Sequence, residues 1–144
     1  MIKRIILIFC LTELILLSNS PATASNPLIK KIRFEKTSST EEKVFFTLNG
    51  FYPPEIFGLK GEKPRIVCDF FNAQLENPTD RLIETHGDFI QGIRIGVHSS
   101  PQPKIRVVLD LVPNQTYDVQ QIFFRKENIF LIIVRLTKPS SKKL

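Results

Sequence analysis

Apolar and polar residues alternate along the chain in short runs, with a period of two rather than 3.6. Val44, Phe46 and Leu48 alternate with Lys43, Phe45 and Thr47, and Ile93 and Ile95 with Gly92, Arg94 and Gly96. Alternation over four to eight residues, rich in β-branched and aromatic side chains, predicts half-buried strands. Eight such runs stand out: 29–35, 43–48, 55–59, 65–71, 89–97, 105–111, 117–124 and 129–136. Turn-forming residues separate them. Lys60-Gly61-Glu62-Lys63 and Arg125-Lys126-Glu127-Asn128 read as hairpin loops. Between the fourth and fifth runs, Asn77-Pro78-Thr79-Asp80 before Arg81-Leu82-Ile83 has helix-start chemistry and predicts one short helix. A plain loop is the alternative there.

The second set of four runs repeats the first. Ile29, Ile32, Arg33, Ser38, Ser39, Lys43 and Leu48 recur as Ile90, Ile93, Arg94, Ser99, Ser100, Lys104 and Leu109, each sixty-one residues on. Identity at a fixed offset points to an internal duplication, chance likeness of two β-patterned segments being the competing explanation. Four strands, a connection and four strands with alternating faces predict an all-β sandwich of two related, roughly four-stranded sheets. The expected filling is Ile32, Phe34, Val44, Phe46, Leu48, Ile66, Phe70, Ile93, Ile95, Val107, Leu109 and Leu111. The last run, Phe130-Leu131-Ile132-Ile133-Val134, is apolar on both faces. It is either central and covered, or its outer face meets a partner.

The ends of the chain read differently from its body. Lys3-Arg4, an apolar stretch from Ile5 to Leu17 and Ala22-Thr23-Ala24 have the form of a secretory leader cleaved after Ala24. The stretch is shorter than the roughly twenty residues a bilayer span needs, and Glu13 interrupts it. Residues 1–24 are therefore expected to be a signal peptide, 25–137 one β-domain, and 138–144 a basic disordered tail, with no stable membrane span after cleavage. The formal charge is +6 for the whole chain. Leader removal takes away Lys3, Arg4 and Glu13, and the tail holds Lys138, Lys142 and Lys143, so the body carries about +2. That is too little to suggest nucleic acid. Cys68 is the one cysteine left after cleavage. It alternates in phase with Ile66 and Phe70, which makes it a buried core thiol rather than a nucleophile.

Two segments carry charge in a strand context: Arg65-Ile66-Val67-Cys68-Asp69 and Arg106-Val107-Val108-Leu109-Asp110. Alternation puts each Arg and each Asp on the face opposite the core. Within a strand they stand about 13 Å apart at roughly 3.3 Å per residue, so any pairing must be with a neighbouring strand. An ion-paired outer face and a ligand-binding face are both compatible with that pattern. Arg94, between Gly92 and Gly96, would sit at the floor of a shallow trough, unless the glycines mark bulges or a close backbone approach. Phe45, out of phase with Val44 and Phe46, would offer an exposed ring. The candidate ligand-binding residues are thus Arg65, Asp69, Arg94, Arg106, Asp110 and Phe45, with the aspartates orienting the arginines. Catalytic patterns are missing. His86 and His98 have no metal-ligand spacing, and neither a Gly-x-Ser-x-Gly elbow nor a phosphate-cradling loop occurs. No enzyme, cofactor or metal is expected.

The segments Pro64-Arg65-Ile66-Val67-Cys68-Asp69-Phe70 and Ile105-Arg106-Val107-Val108-Leu109-Asp110-Leu111, with Ile90-Gln91-Gly92-Ile93-Arg94-Ile95-Gly96, resemble the AMIN domain. Domains of that family stand N-terminal to the catalytic part of periplasmic N-acetylmuramoyl-L-alanine amidases and in type IV pilus secretins. The resemblance spans Leu28 to Leu136. It implies a sandwich of two β-sheets that binds peptidoglycan and places itself or a partner (an amidase, a secretin or a division component) in the periplasm. Cys68 and Phe70 depart from the aliphatic pattern of the second segment, and no hydrolase or secretin domain is legible alongside. The alternative function is a protein-interaction module acting through sheet-edge contacts.

Overall fold

The structure is a computed structural model that describes residues 25–79 and 81–137. The expected leader and basic tail lie outside the described residues. Among these residues ten strands form: β1 Leu28–Lys36, β2 Glu41–Leu48, β3 Glu55–Leu59, β4 Arg65–Phe71, β5 Gln74–Leu75, β6 Leu82–Glu84, β7 Ile90–His98, β8 Lys104–Leu111, β9 Tyr117–Phe124 and β10 Ile129–Leu136. They build two five-stranded sheets, ordered β5-β1-β2-β10-β9 and β3-β4-β8-β7-β6. The chain is an all-β sandwich.

The duplication explains this order. Each half supplies a first hairpin (β1-β2 or β7-β8) to one sheet and a second hairpin (β3-β4 or β9-β10) to the other. Replacing each strand by its repeat mate turns β1-β2-β10-β9 into β7-β8-β4-β3, which is the second sheet read backwards. The hairpin registers differ by two between the halves: Ile32 faces Phe46, whereas Ile93 faces Leu109, the repeat mate of Leu48. An even shift keeps every side chain on its face, so the core row survives it. Positive φ at Gly61 (120°) and Asn128 (54°) turns the two equivalent hairpins.

The interior holds the expected residues. Val44, Phe46, Leu48, Ile66, Phe70, Ile93, Ile95, Val107, Leu109 and Leu111 are buried, and Ile32 and Phe34 pack against them partly covered. Phe46 is the hub, with its ring centroid 5.2 Å from that of Phe70 and 5.8 Å from that of Phe130. Burying one such side chain contributes about 1.5–3 kcal/mol. Cys68 is fully enclosed in this core, and burial pushes its thiol pKa far up, which leaves it inert.

One expectation is corrected, and one open alternative is decided. No helix forms among the described residues. Leu82–Glu84 is a strand against β7, pairing Ile83 with Ile93, while Leu82 and Glu84 point outward. The period of two wins because Ile83 gains a place on the core, and with β5 on β1 this gives each sheet a fifth strand. The doubly apolar strand β10 is central. It is hydrogen-bonded to β2 on one side and β9 on the other, so it offers no edge to a partner. The sheet edges are β5, β9, β3 and β6.

Candidate functional site

The outer face of the second sheet collects most of the charged candidates, because β8 runs between β4 and β7. Across β4 and β8, Asp69 stands opposite Arg106, Val67 opposite Val108, and Arg65 opposite Asp110. The Arg106 guanidinium donates to both Asp69 oxygens, Nε to Oδ1 at 2.7 Å and Nη2 to Oδ2 at 2.7 Å. Lys104 Nζ adds a third bond to Oδ2 at 2.9 Å. On the far side of β8, Arg94 reaches diagonally to Asp110, also with two bonds, of 2.6 and 2.8 Å.

These two clusters differ in depth. The Asp69 side chain is only 4% exposed, and Arg106 above it 33%. Arg94 is 50% and Asp110 33% exposed. Bound by Arg106 and then Lys104, the Asp69 carboxyl titrates below its ordinary range, although burial pulls the other way. The same pairs push Arg106 and Arg94 upward, so both stay charged. Asp69 is thereby a structural anion under two cations, while the Arg94–Asp110 pair lies at the surface.

Arg94 and Arg65 border two shallow hollows of about 690 and 610 Å³ that run along this face, with Leu82 of β6 common to both. The trough expected around Arg94 is therefore only partly open. Gly92 adjoins an irregularity in the β7-β8 register, and Leu82 lies over it. The space above Gly96 is narrowed by the His98 ring, whose Nε2 would stand 3.1 Å from an added Cβ. The Arg94 guanidinium is folded onto Asp110 rather than seated on the floor.

Phe45 is not brought to this site. It lies on the outer face of the other sheet, where Arg33 covers its ring at 4.0 Å and pairs with Glu35 at 2.6 Å. The swap of hairpins between sheets separates β2 from β4, β7 and β8. The rings that do flank the charged face are Phe57 on β3, 5.6 Å from the Arg106 guanidinium carbon, and Phe71 on β4, 5.5 Å from Lys104 Nζ. Sequence reasoning passed over them, and over Lys104 and Leu82. Lys104 was detectable: it precedes Arg106 by two and so shares its face, and it is the repeat mate of Lys43.

A family model described as the AMIN domain matches residues 31–133, from β1 into β10 and so across both sheets. The chain belongs to the AMIN domain family. AMIN domains are non-catalytic binding modules. No curated protein and no solved structure matches the chain. The AMIN resemblance carried by the Arg65–Asp69 and Arg106–Asp110 segments thus rests on strands that pair directly with each other.

Proposed function

We propose that this AMIN domain is a non-catalytic envelope module that binds peptidoglycan and localises itself or a partner in the periplasm. On this reading residues 1–24 are a cleaved leader and 25–137 are the binding domain. The observation that carries it is the outer face of β3-β4-β8-β7-β6, where Arg65, Arg94 and Arg106 stand together above shallow open hollows. Peptidoglycan bears stem peptides with free carboxylates, and planar guanidinium groups bind carboxylates with two parallel bonds. A shallow, open surface suits a polymer that must be gripped along its length.

The test is co-sedimentation of the protein, secreted by an expression host and with its N-terminus read by mass, with protein-free sacculi. A non-binding protein of equal charge is the control. Specific pelleting that a high-salt wash reverses is expected, because exposed charge contacts are screened. Arg94→Ala is expected to weaken pelleting while leaving the melting temperature nearly unchanged, since exposed ion pairs contribute only about 0–1 kcal/mol. A folded protein that stays in the supernatant would overturn the reading.

A second reading is favoured by one feature. Among the described residues strand β9 is hydrogen-bonded to β10 alone; it is eight residues long and exposes Val119, Ile122 and Phe124. A strand from an envelope protein would add there through its backbone. Binding of that kind would survive high salt and would be abolished by Gln121→Pro, which removes an edge donor.

A further inference from the structure

The Arg-x-x-x-Asp segments of β4 and β8 are related by a local two-fold axis that passes between Val67 and Val108. That symmetry dictates two reciprocal ion pairs, Arg106 with Asp69 and Arg65 with Asp110. One forms. Asp110 is engaged instead by Arg94 from β7, through two hydrogen bonds. No third-strand cation competes at the other end, where β3 places Glu55 opposite Asp69. Among the described residues the Arg65 guanidinium is left with no hydrogen bond, ion pair or ring contact.

Arg65 is not an arginine adrift in solvent. It is half-buried on a strand flanked by β3 and β8, opposite Leu59 on one side and Asp110 on the other. Three separate hollows meet at it, one towards Gly92, one towards Val108, and one towards Gly61 and Asn114. Pro64, Leu59 and Leu82 give these hollows apolar flanks. Asp110 would repel an incoming anion, but its charge is offset by Arg94. The result is a planar, permanently charged donor, held at a junction of open space, with no acceptor among the described residues.

We infer that Arg65 is the carboxylate-binding site of this face, and that Arg94 keeps it vacant by occupying Asp110. The inference rests on the peptidoglycan reading and deepens it: the recognised group is a free stem-peptide carboxylate, with its aliphatic flank against Leu59 and Leu82. It assigns different tasks to the three arginines. Arg106 is structural, Arg65 contacts the ligand, and Arg94 is a positioning residue. Without Arg94, Asp110 is free to take Arg65, its register partner, and so to fill the site from within.

The experiment compares the full protein on native sacculi and on sacculi whose carboxylates have been converted to amides. Wild type is expected to bind the amidated polymer about tenfold less well, the loss of roughly one charge-assisted contact. Arg65→Ala should bind both polymers at that lower level, with an unchanged melting curve because Arg65 has no internal partner. Arg65→Lys, which keeps the charge and loses the planar fork, should fall between. Arg94→Ala should resemble Arg65→Ala, and adding Asp110→Asn to it should restore binding. Lys31→Ala, an equal charge loss on the other sheet, should leave binding as it is. Equal binding of wild type to native and amidated sacculi, or wild-type binding by Arg65→Ala, would overturn the carboxylate site while leaving the peptidoglycan reading intact. Failure of wild type to bind native sacculi would overturn both.

Discussion

Asp69→Ala is expected to lower stability by about 3 kcal/mol, whereas Asp110→Ala lowers it by about 1 kcal/mol or less. The two aspartates hold the same place in the Arg-x-x-x-Asp segments of β4 and β8, so the contrast is a test of environment rather than of residue type. Asp69 is almost wholly covered and holds Arg106 and Lys104 at once. Removing it leaves two neighbouring cations, both partly withdrawn from water, with no anion between them. Asp110 and its partner Arg94 are much more open to solvent, and the freed guanidinium can be rehydrated. For a domain of about a hundred residues, 3 kcal/mol corresponds to a drop of roughly 12 °C or more in melting temperature. Thermal unfolding of the two variants beside wild type checks this, and equal shifts would show that the Asp69 cluster is no more than a surface pair.

The same cluster has a pH signature. The Asp69 carboxyl titrates lower in the folded protein than in the unfolded chain, chiefly because Arg106 binds its charged form. The unfolded state therefore takes up a proton first as the solution is acidified. Asp69 contributes its stabilisation fully above the unfolded value of about 3.9, and loses it as pH falls through the folded value. The melting-temperature gap between wild type and Asp69→Asn should be constant from neutral pH down to about 5 and shrink below about 4. A gap that did not shrink would mean that shape, rather than charge, makes Asp69 important.

Strand pairing was legible in this sequence because the alternation is strict and one face is buried. A one-residue slip would turn Val44, Phe46 and Leu48 out into water, so the pattern specifies which side faces in. The repeat made the two sheets legible as relatives. It did not reveal that the hairpins trade places, which is why Phe45 was grouped with arginines that belong to the opposite sheet. Short strands such as Leu82–Glu84 offer too few residues to separate a period of two from a helical start, and Asn77-Pro78-Thr79 supplied capping chemistry without a helix to cap. The pairing of Arg94 with Asp110, which leaves Arg65 without a partner among the described residues, depends on a diagonal reach between strands. No spacing within one strand encodes that.

Glu42→Ala is expected to cost about 3–5 kcal/mol, a large share of the 5–15 kcal/mol that holds a typical domain together. The alternation itself marks the residue: Glu42 is in phase with Val44, Phe46 and Leu48, and β2 begins early enough to carry it into the interior. It is 0% exposed. Its two carboxylate oxygens accept the backbone amides of Asp88, at 2.5 Å, and Ile90, at 2.8 Å. A carboxylate on one sheet thus fastens the loop that leads into β7 on the other, and Gly87 is tight against it. A Cβ at Gly87 would stand 2.7 Å from both the Glu42 carboxylate and the Ile90 carbonyl oxygen. The Glu42 charge, after burial, also raises the pKa of the Tyr117 hydroxyl, which donates to the Val112 carbonyl at 2.6 Å. Alanine at 42 strips the buried amide of Ile90 and the partly covered amide of Asp88 of their acceptor, the buried one alone costing about 1–3 kcal/mol, and leaves a void. Glu42→Gln keeps one acceptor oxygen but sets an amide donor against a backbone donor, so it should fall between wild type and alanine. Amide hydrogen exchange separates local from general weakening. Asp88 and Ile90 should exchange faster in Glu42→Gln by a larger factor than Phe46 or Val107 at the sandwich centre. Uniform acceleration would show that Glu42 supports the whole core and not this fastening. Because β7 bears Arg94, loosening it should also release Asp110 and, on the proposed function, reduce sacculus retention, joining a buried carboxylate on one sheet to the proposed binding face of the other.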